Sequence, residues 1–305
     1  MNLLAGIDIG GTHIKAGAYD DTGRLLASAL MPGEALCGDG WRESVRLALT
    51  ALEKECGSRI ERAGIAAPGI AAKDARSIRH MPGRLAGLVG LDWTDFLQRS
   101  IPVPVLNDAH AALLGEVWCG AAKGARDCFM LTLGTGVGGA AMCDGRLLSG
   151  HLGRAGHLGH ISLDPNGPPD ITGTPGSLED AIGNHSVAQR TGGRFTMTRD
   201  LLAAAASGDP DASAAWERSV RALAAGIVSL INVLDPAVVI LGGGIMAAGD
   251  QLMAPLLSRL DEMEWRLDGQ RVPLVPALLG DMAGACGAAA RASASQVEPG
   301  FQPPH

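Results

Sequence analysis

The chain has 305 residues, of which 47% are hydrophobic, 19% charged and 3% aromatic, with 43 glycines and a formal net charge of −7. That length can bury a sizeable core in one large or two medium domains, and the composition is that of a globular protein whose core must be aliphatic. The acidic balance leaves no basic face for a nucleic-acid backbone; no apolar run reaches the ~18 residues of a membrane span and no basic segment opens the chain, so a cytoplasmic protein with neither nucleic-acid nor membrane partners is expected.

The first stretch, Leu3 to Tyr19, reads as strand, Gly-rich turn, strand. Without side chains at Gly10 and Gly11, backbone N–H groups can come within reach of a phosphate, while Thr12 adds a hydroxyl and Lys15 a cation. It has no Walker spacing and no following helix; taken alone, it is equally an ordinary hairpin whose glycines serve its bend. From Asp39, a candidate N-cap, to Cys56, the spacing of Trp41, Val45, Leu49 and Leu52 predicts a helix ended by Gly57. Ile60 to Ala66 predicts a strand running into Ala67-Pro68-Gly69, where Gly69 either passes close to a ligand or simply ends the strand. Pro102 to Leu106 predicts a short buried strand that delivers Asn107 and Asp108 to the start of a helix over 109–118. At that junction Asp108 is either a helix cap or a carboxylate facing a cleft.

A second copy of the opening unit follows. Leu131 to Leu148 aligns with Ile7 to Leu26 once two residues are dropped at the second turn, and both end in Gly-Arg-Leu-Leu. A duplicated strand-turn-strand-turn-strand implies two related lobes, each opening with a phosphate-facing hairpin; the second hairpin offers Gly134, Thr135 and Gly136. The lobes are expected over residues 1–108, with 290–305 returning to them, and over 109–289. Asp211 to Leu234 predicts a long amphipathic helix behind an Asp209-Pro210 start signal. Val238 to Leu241 predicts a buried strand leading into Gly242-Gly243-Gly244, where a nucleotide can approach the backbone or where the chain merely turns. A helix over 251–263, a strand over 272–275, an Ala-rich helix over 282–292 and a loose tail complete the chain. The six cysteines lack C-x-x-C spacing and read as reduced small hydrophobes.

Over nearly its whole length this pattern resembles the sugar kinase, Hsp70 and actin superfamily, and most closely its ROK branch. The resemblance implies an α/β fold of two actin-like, ribonuclease H-like lobes around an interlobe cleft, ATP and Mg²⁺ as cofactors, and a hexose-like sugar as substrate. Asn107-Asp108-Ala109 with Ala112 and Gly115-Glu116 matches the family's Asn-Asp-Ala and Ala-x-x-Gly-Glu. It makes Asp108 the general base and Asn107 an anchor for a neighbouring hydroxyl. Asp8, Gly10, Gly11, Thr12, Lys15, Gly134, Thr135, Gly136, Gly243 and Gly244 become nucleotide-binding residues, with Mg²⁺ carried through the phosphates and Asp8 as its outer-shell partner. Gly69, His160 and Glu179 become sugar contacts. ROK repressors carry a helix-turn-helix ahead of the hairpin, whereas the first strand here starts at about Leu3, which favours an enzyme. Dimers are common in families of this kind.

The chain departs from the family's pattern at several positions. His80, in His80-Met81-Pro82-Gly83, replaces an Asn, His157 replaces a Glu within Gly153 to His160, and His110 stands where relatives often have Asn. These imidazoles point to a substrate other than plain glucose, such as N-acetylmannosamine, N-acetylglucosamine, another amino or N-acylated sugar, or a cyclitol. The family's zinc motif, Cys-x-Cys-Gly-x-x-Gly-Cys-x-Glu, keeps its register from Asp170 to Glu179 but has lost all three cysteines. No structural zinc is expected, since that ion wants four tetrahedral, mostly Cys and His ligands. Convergence of His151, His157 and His160 on a transition metal is a competing idea. Rival functions are a non-catalytic sugar-binding or sensing ROK protein, an ATPase that hydrolyses without an acceptor, and a kinase using polyphosphate.

Overall fold

The opening apolar run becomes β1 (Leu4–Ile9), which turns back antiparallel as β2 (His13–Tyr19) and again as β3 (Leu25–Pro32). In this computed structural model the described residues are 2–10, 13–32, 40–81 and 85–293. Gly11, Thr12, the candidate cap Asp39, Pro82-Gly83 and the tail after 293 lie outside them. Helix α1 (Gly40–Cys56) buries Trp41, Val45, Ala48, Leu49 and Leu52, a stripe at helical spacing. It ends at Gly57, whose φ of 69° is the left-handed turn that glycine makes without strain. The chain then runs through β4 (Arg62–Ala67), a small hairpin of β5 (Ile70–Ala71) and β6 (Ile78–His80), α2 (Trp93–Leu97), β7 (Val105–Asn107) and α3 (Asp108–Cys119). The resulting sheet has the order β3-β2-β1-β4-β7, with β1, β4 and β7 parallel.

The same plan is then executed a second time. β8 (Cys128–Leu133), β9 (Val137–Cys143) and β10 (Arg146–Leu147) form an antiparallel meander. Helices α4 (Leu178–Ile182), α5 (Val187–Arg190), α6 (Thr198–Ala206) and α7 (Pro210–Leu234) follow. Asp209 caps α7 by accepting from Ala212 N, with Pro210 in the first turn as the sequence signal requires. β11 (Val238–Gly242), α8 (Asp250–Met263) and β12 (Leu274–Pro276) complete a second sheet of order β10-β9-β8-β11-β12, again antiparallel on one side and parallel on the other. Its core is aliphatic and is built from Leu131, Leu133, Leu178, Val220, Leu223, Ile227 and Leu241 with Phe129. A last helix, α9 (Ala283–Ser293), belongs to the first sheet. Two compact units result: residues 1–124, 149–154 and 278–305, and residues 125–148 and 155–277. Among the described residues no helix is long and apolar enough to cross a membrane.

In the first unit α9 lies almost on bare backbone. A Cβ on Gly6 would stand 1.7 Å from the Ala285 carbonyl oxygen, one on Gly64 2.1 Å from that of Ala288, and one on Gly287 1.6 Å from that of Ala111. Gly287→Ala is therefore expected to cost about 3 kcal/mol, because backbone rather than a movable side chain must yield. Urea unfolding checks this, and an unchanged midpoint would mean that α9 docks elsewhere. Cys119 of α3 and Cys286 of α9 meet at the same helix pair as free thiols, Sγ to Sγ 3.2 Å.

Candidate active site

In the first unit the parallel strands β1, β4 and β7 bring their carboxyl ends to one edge of the sheet, which is where open α/β sheets bind ligands. Asp8 comes from β1, Gly69 follows β4, and Asn107 and Asp108 end β7 and start α3. Asn107 is the N-cap: its Oδ1 accepts from Ala109 N (3.0 Å) and His110 N (3.3 Å), while its Nδ2 donates to the Gly69 carbonyl at 3.0 Å. That leaves Asp108 as the first helical residue, its side chain exposed and its Oδ1 accepting from Ala109 N at 2.8 Å. Gly69 adopts φ 101°, and a Cβ there would lie 2.6 Å from the His80 carbonyl oxygen, so the turn itself demands glycine.

Asp8 faces Lys15 across the β1–β2 register, and Lys15 Nζ reaches Asp281 at 3.1 Å. Asp8 Oδ1 is buried without a hydrogen-bond partner, and its Oδ2 lies where a Cβ on Gly284, in the first turn of α9, would come within 2.5 Å. Burial pushes the Asp8 carboxyl up to about 7; the Asp108 and Asp281 carboxylates add to the rise and Lys15 opposes it. The folded chain therefore holds this proton more tightly than the unfolded one, and stability falls as pH rises from about 4 to about 7. Without nucleotide or divalent cation, Asp8→Asn is expected to be more stable than the parent at pH 8, by on the order of 4 kcal/mol, and to match it near pH 4. Calorimetry at the two pH values checks this, and equal stabilities at pH 8 would overturn it.

In the second unit the β8–β9 turn carries Gly134, Thr135 and Gly136, closed by Gly134 N to Gly136 O at 2.9 Å. Glu179, in the first turn of α4, lies beneath it. Its Oε2 accepts from Val137 N at 2.9 Å and would be 2.2 Å from a Cβ on Gly136. The following turn grips the same hairpin: Asn184 N donates to Gly134 O and His185 N to Thr135 O, both at 2.9 Å. The His185 ring bridges the Thr135 carbonyl and Asp180 Oδ1, each at 2.8 Å. Burial works against its charge, but these two acceptors hold the imidazolium above the usual histidine range. Gly243, at φ 90°, packs against the Leu133 backbone, whereas Gly244 borders open space. A pocket of about 530 Å³ opens beside these loops, lined by Gly134, Thr135, Asn184, Thr198, Gly244 and Gln251 among others.

Of the histidines singled out from the sequence, His80 is exposed on β6, His110 is buried in α3, and His157 is half-buried just before the turn Leu158–His160. His160 Nδ1 lies 2.7 Å from Asp170 Oδ2, and Asp170 Oδ1 accepts from Thr172 N, Thr172 Oγ1 and Thr174 N at 2.8, 2.7 and 3.0 Å. Burial alone would raise the Asp170 carboxyl, but these donors hold it well below the usual range. The donor set does not suit zinc: the imidazole nitrogen and the carboxylate are already bonded to each other, and hydroxyls stand where thiolates would be. Among the described residues the one triplet of His, Cys, Asp or Glu close enough to share an ion is Glu179, Asp180 and His185, whose members already bond to protein. Reading the sequence missed Asp180, Asn184, His185, Thr198, Gln251 and Asp281, which carry no motif and meet the hairpins only through the fold.

Two sheets of identical strand order, each opening with a Gly-rich hairpin, define the actin-like ATPase fold shared by sugar kinases. Residues 4–295 match the ROK family, and the chain belongs to that family. The glucokinase of Thermotoga maritima is 32% identical over 277 residues, 84% of this chain and 86% of the relative. The N-acetylmannosamine kinase of Citrobacter koseri is 32% identical over 250 residues, 80% and 84% of the two chains. Among solved structures, the ROK hexokinase of Thermus thermophilus superposes with a TM-score of 0.82 at 34% identity, covering 94% of this chain and 97% of that one. A ROK family glucokinase from Streptomyces griseus, in complex with glucose and AMPPNP, superposes with 0.76 at 27% identity, covering 94% and 98%.

Proposed function

We propose that this chain transfers the γ-phosphoryl group of ATP to a hydroxyl of a hexose-like sugar, with Asp108 as the general base. That it is a sugar kinase follows from its family and from glucokinase and N-acetylmannosamine kinase relatives matched over four fifths of its length or more; the acceptor, the base and the nucleotide are the proposal. The observation that carries it is the exposed Asp108 carboxylate at the β7–α3 junction, beside the buried Asp8 on the same sheet edge. An alcohol is a weak nucleophile, and a hydrogen-bonded carboxylate takes its proton as it attacks phosphorus.

The remaining residues bind and orient. Gly10 and Gly134 use their own N–H groups to close the two hairpins; the backbone N–H groups that follow, at Gly11, Thr12, Thr135 and Gly136, receive the phosphates with Lys15, and Gly243 and Gly244 border the nucleoside. Asp8 fits an outer-shell role toward a Mg²⁺ carried by the phosphates, since its buried Oδ1 lacks a partner and this ion keeps several waters beside phosphates and one or two carboxylates; bound there, Mg²⁺ would offset the charge of the transferring group. Gly69, His80, Asn107, His157, His160 and Glu179 are assigned to the sugar. The Asn107 side chain also bonds the backbone of Gly69 and Ala109, and that of Glu179 the backbone of Val137, which fixes their orientation before substrate arrives.

The test is coupled ADP release with Mg²⁺ and ATP over glucose, N-acetylmannosamine, N-acetylglucosamine and inositols. Release well above the sugar-free rate on at least one of them is expected. Sugar binding without ADP release on any would overturn the kinase reading in favour of a sensor, and release independent of sugar would favour an ATPase.

A further inference from the structure

The loop that joins the turn Leu158–His160 to α4 is organised around a single carboxylate. The Asp170 side chain has 0% exposure, against 24% for its partner His160. Its Oδ1 takes three donors from the Thr172–Thr174 turn, and the main chain closes around it through Asp170 N to Thr174 O and Gly173 N to Asp170 O, both 2.9 Å. Ser162 Oγ donates to Pro175 O at 2.6 Å, Leu178 N to Ile161 O at 3.0 Å, and Ser177 caps α4 by accepting from Asp180 N at 3.3 Å. Asp170, Thr172 and Ser177 are the three residues that occupy the lost cysteine positions, and each makes one of these bonds.

We propose that Asp170 is a positioning residue that replaces a metal: its buried carboxylate locks His160 as the Nδ1–H tautomer and so presents Nε2 as a hydrogen-bond acceptor for a sugar hydroxyl. An ionised carboxylate can only accept, and Oδ1 is already saturated, so Oδ2 must receive its hydrogen from Nδ1. Neutral imidazole has one hydrogen, which leaves the lone pair on Nε2. A zinc ion on Nδ1 would leave Nε2–H as a donor instead. The swap of metal for carboxylate thus inverts the hydrogen-bonding sense offered to the substrate as well as preserving the loop. The sugar-facing half of this inference rests on His160 being a sugar contact; the tautomer does not.

The primary measurement needs no variant. Long-range ¹H–¹⁵N correlation spectra of the ¹⁵N-labelled protein at pH 8, with the ring assigned by loss of its signals in His160→Gln, should show Nδ1 protonated and Nε2 bare. A protonated Nε2, or stoichiometric zinc remaining in the purified protein after chelator dialysis, overturns the proposal. In Asp170→Asn the amide can donate to Nδ1, so the tautomer should reverse. KM for the sugar should then rise about tenfold, the lower end of what losing an orienting partner costs at a ligating histidine, with KM for ATP changing less than about threefold. A reversed tautomer with unchanged sugar KM would sink the positioning role. If no sugar is turned over, the kinase reading fails while the tautomer is still read, and calorimetric sugar affinity replaces KM.

Discussion

Asp108→Ala is expected to lower kcat about 10²- to 10⁴-fold, the range of a positioned general base, while the dissociation constant for ATP stays within about twofold. Asp108→Asn is the sharper variant. It keeps the size of the side chain and its bond to Ala109 N but cannot take a proton, so it should fall with Ala rather than with the parent. The substitution also has a signature away from catalysis. The Asp108 carboxylate is one cause of the rise of Asp8 to about 7, so its removal should let the Asp8 carboxyl titrate at lower pH, visible by ¹³C carboxyl spectroscopy. Near-normal turnover in both variants would refute the assignment of the base, whichever sugar is used.

Glu116→Ala is expected to cost about 3 kcal/mol of stability without touching any residue assigned to substrate. Glu116 is fully buried, at 0% exposure, on the inner face of α3. Its carboxylate accepts from Ala121 N at 2.7 Å, from Leu278 N at 3.0 and 3.1 Å, and from Leu279 N at 2.8 Å. These charge-assisted bonds fasten the end of α3 and the segment leading into α9. Removing the acceptor strands three backbone donors, each worth about 1 kcal/mol or more once deprived of a partner. Glu116→Gln should rescue little, because its amide NH₂ would point at groups that can only donate. Urea unfolding provides the measure, and a loss under about 1 kcal/mol would mean that water or a shifted backbone replaces the carboxylate.

Much of this architecture can be read before any coordinates. The Gly-Arg-Leu-Leu echo between Ile7–Leu26 and Leu131–Leu148 predicts two sheets begun alike, and both run in the same order. The apolar spacing in α1 and α7 predicts their buried faces, because helical burial leaves a 3.6-residue imprint on the sequence. Hydrogen bonds between side chains leave no such imprint. Whether Asn107 or Asp108 caps α3 depends on backbone angles at the junction, and it is Asn107, φ −60° and ψ 146°, that takes the role. The grip of Asn184 and His185 on the second hairpin joins residues some fifty positions apart, which no local pattern encodes. At Asp170 the sequence announces a loss, three missing thiolates, but not the network that replaces them. The short β10, two residues against eight in β3, is likewise invisible in a repeat whose two copies close on the same Gly-Arg-Leu-Leu.

The glycine-lined seat of α9 also dictates the order in which this protein can fold as it is made. The floor formed by Gly6 and Gly64 is synthesised first, but its cover, residues 283–293, leaves the ribosome only after the whole second unit. At ~5–20 residues per second, translating the intervening segment 125–277 takes roughly ten to thirty seconds. During that delay the nascent first unit displays an unroofed apolar sheet, while the second, whose strands all fall between 128 and 276, can close independently. The half of the molecule that begins later is thus the half that finishes sooner, and the interval in between is when this chain has most need of a chaperone.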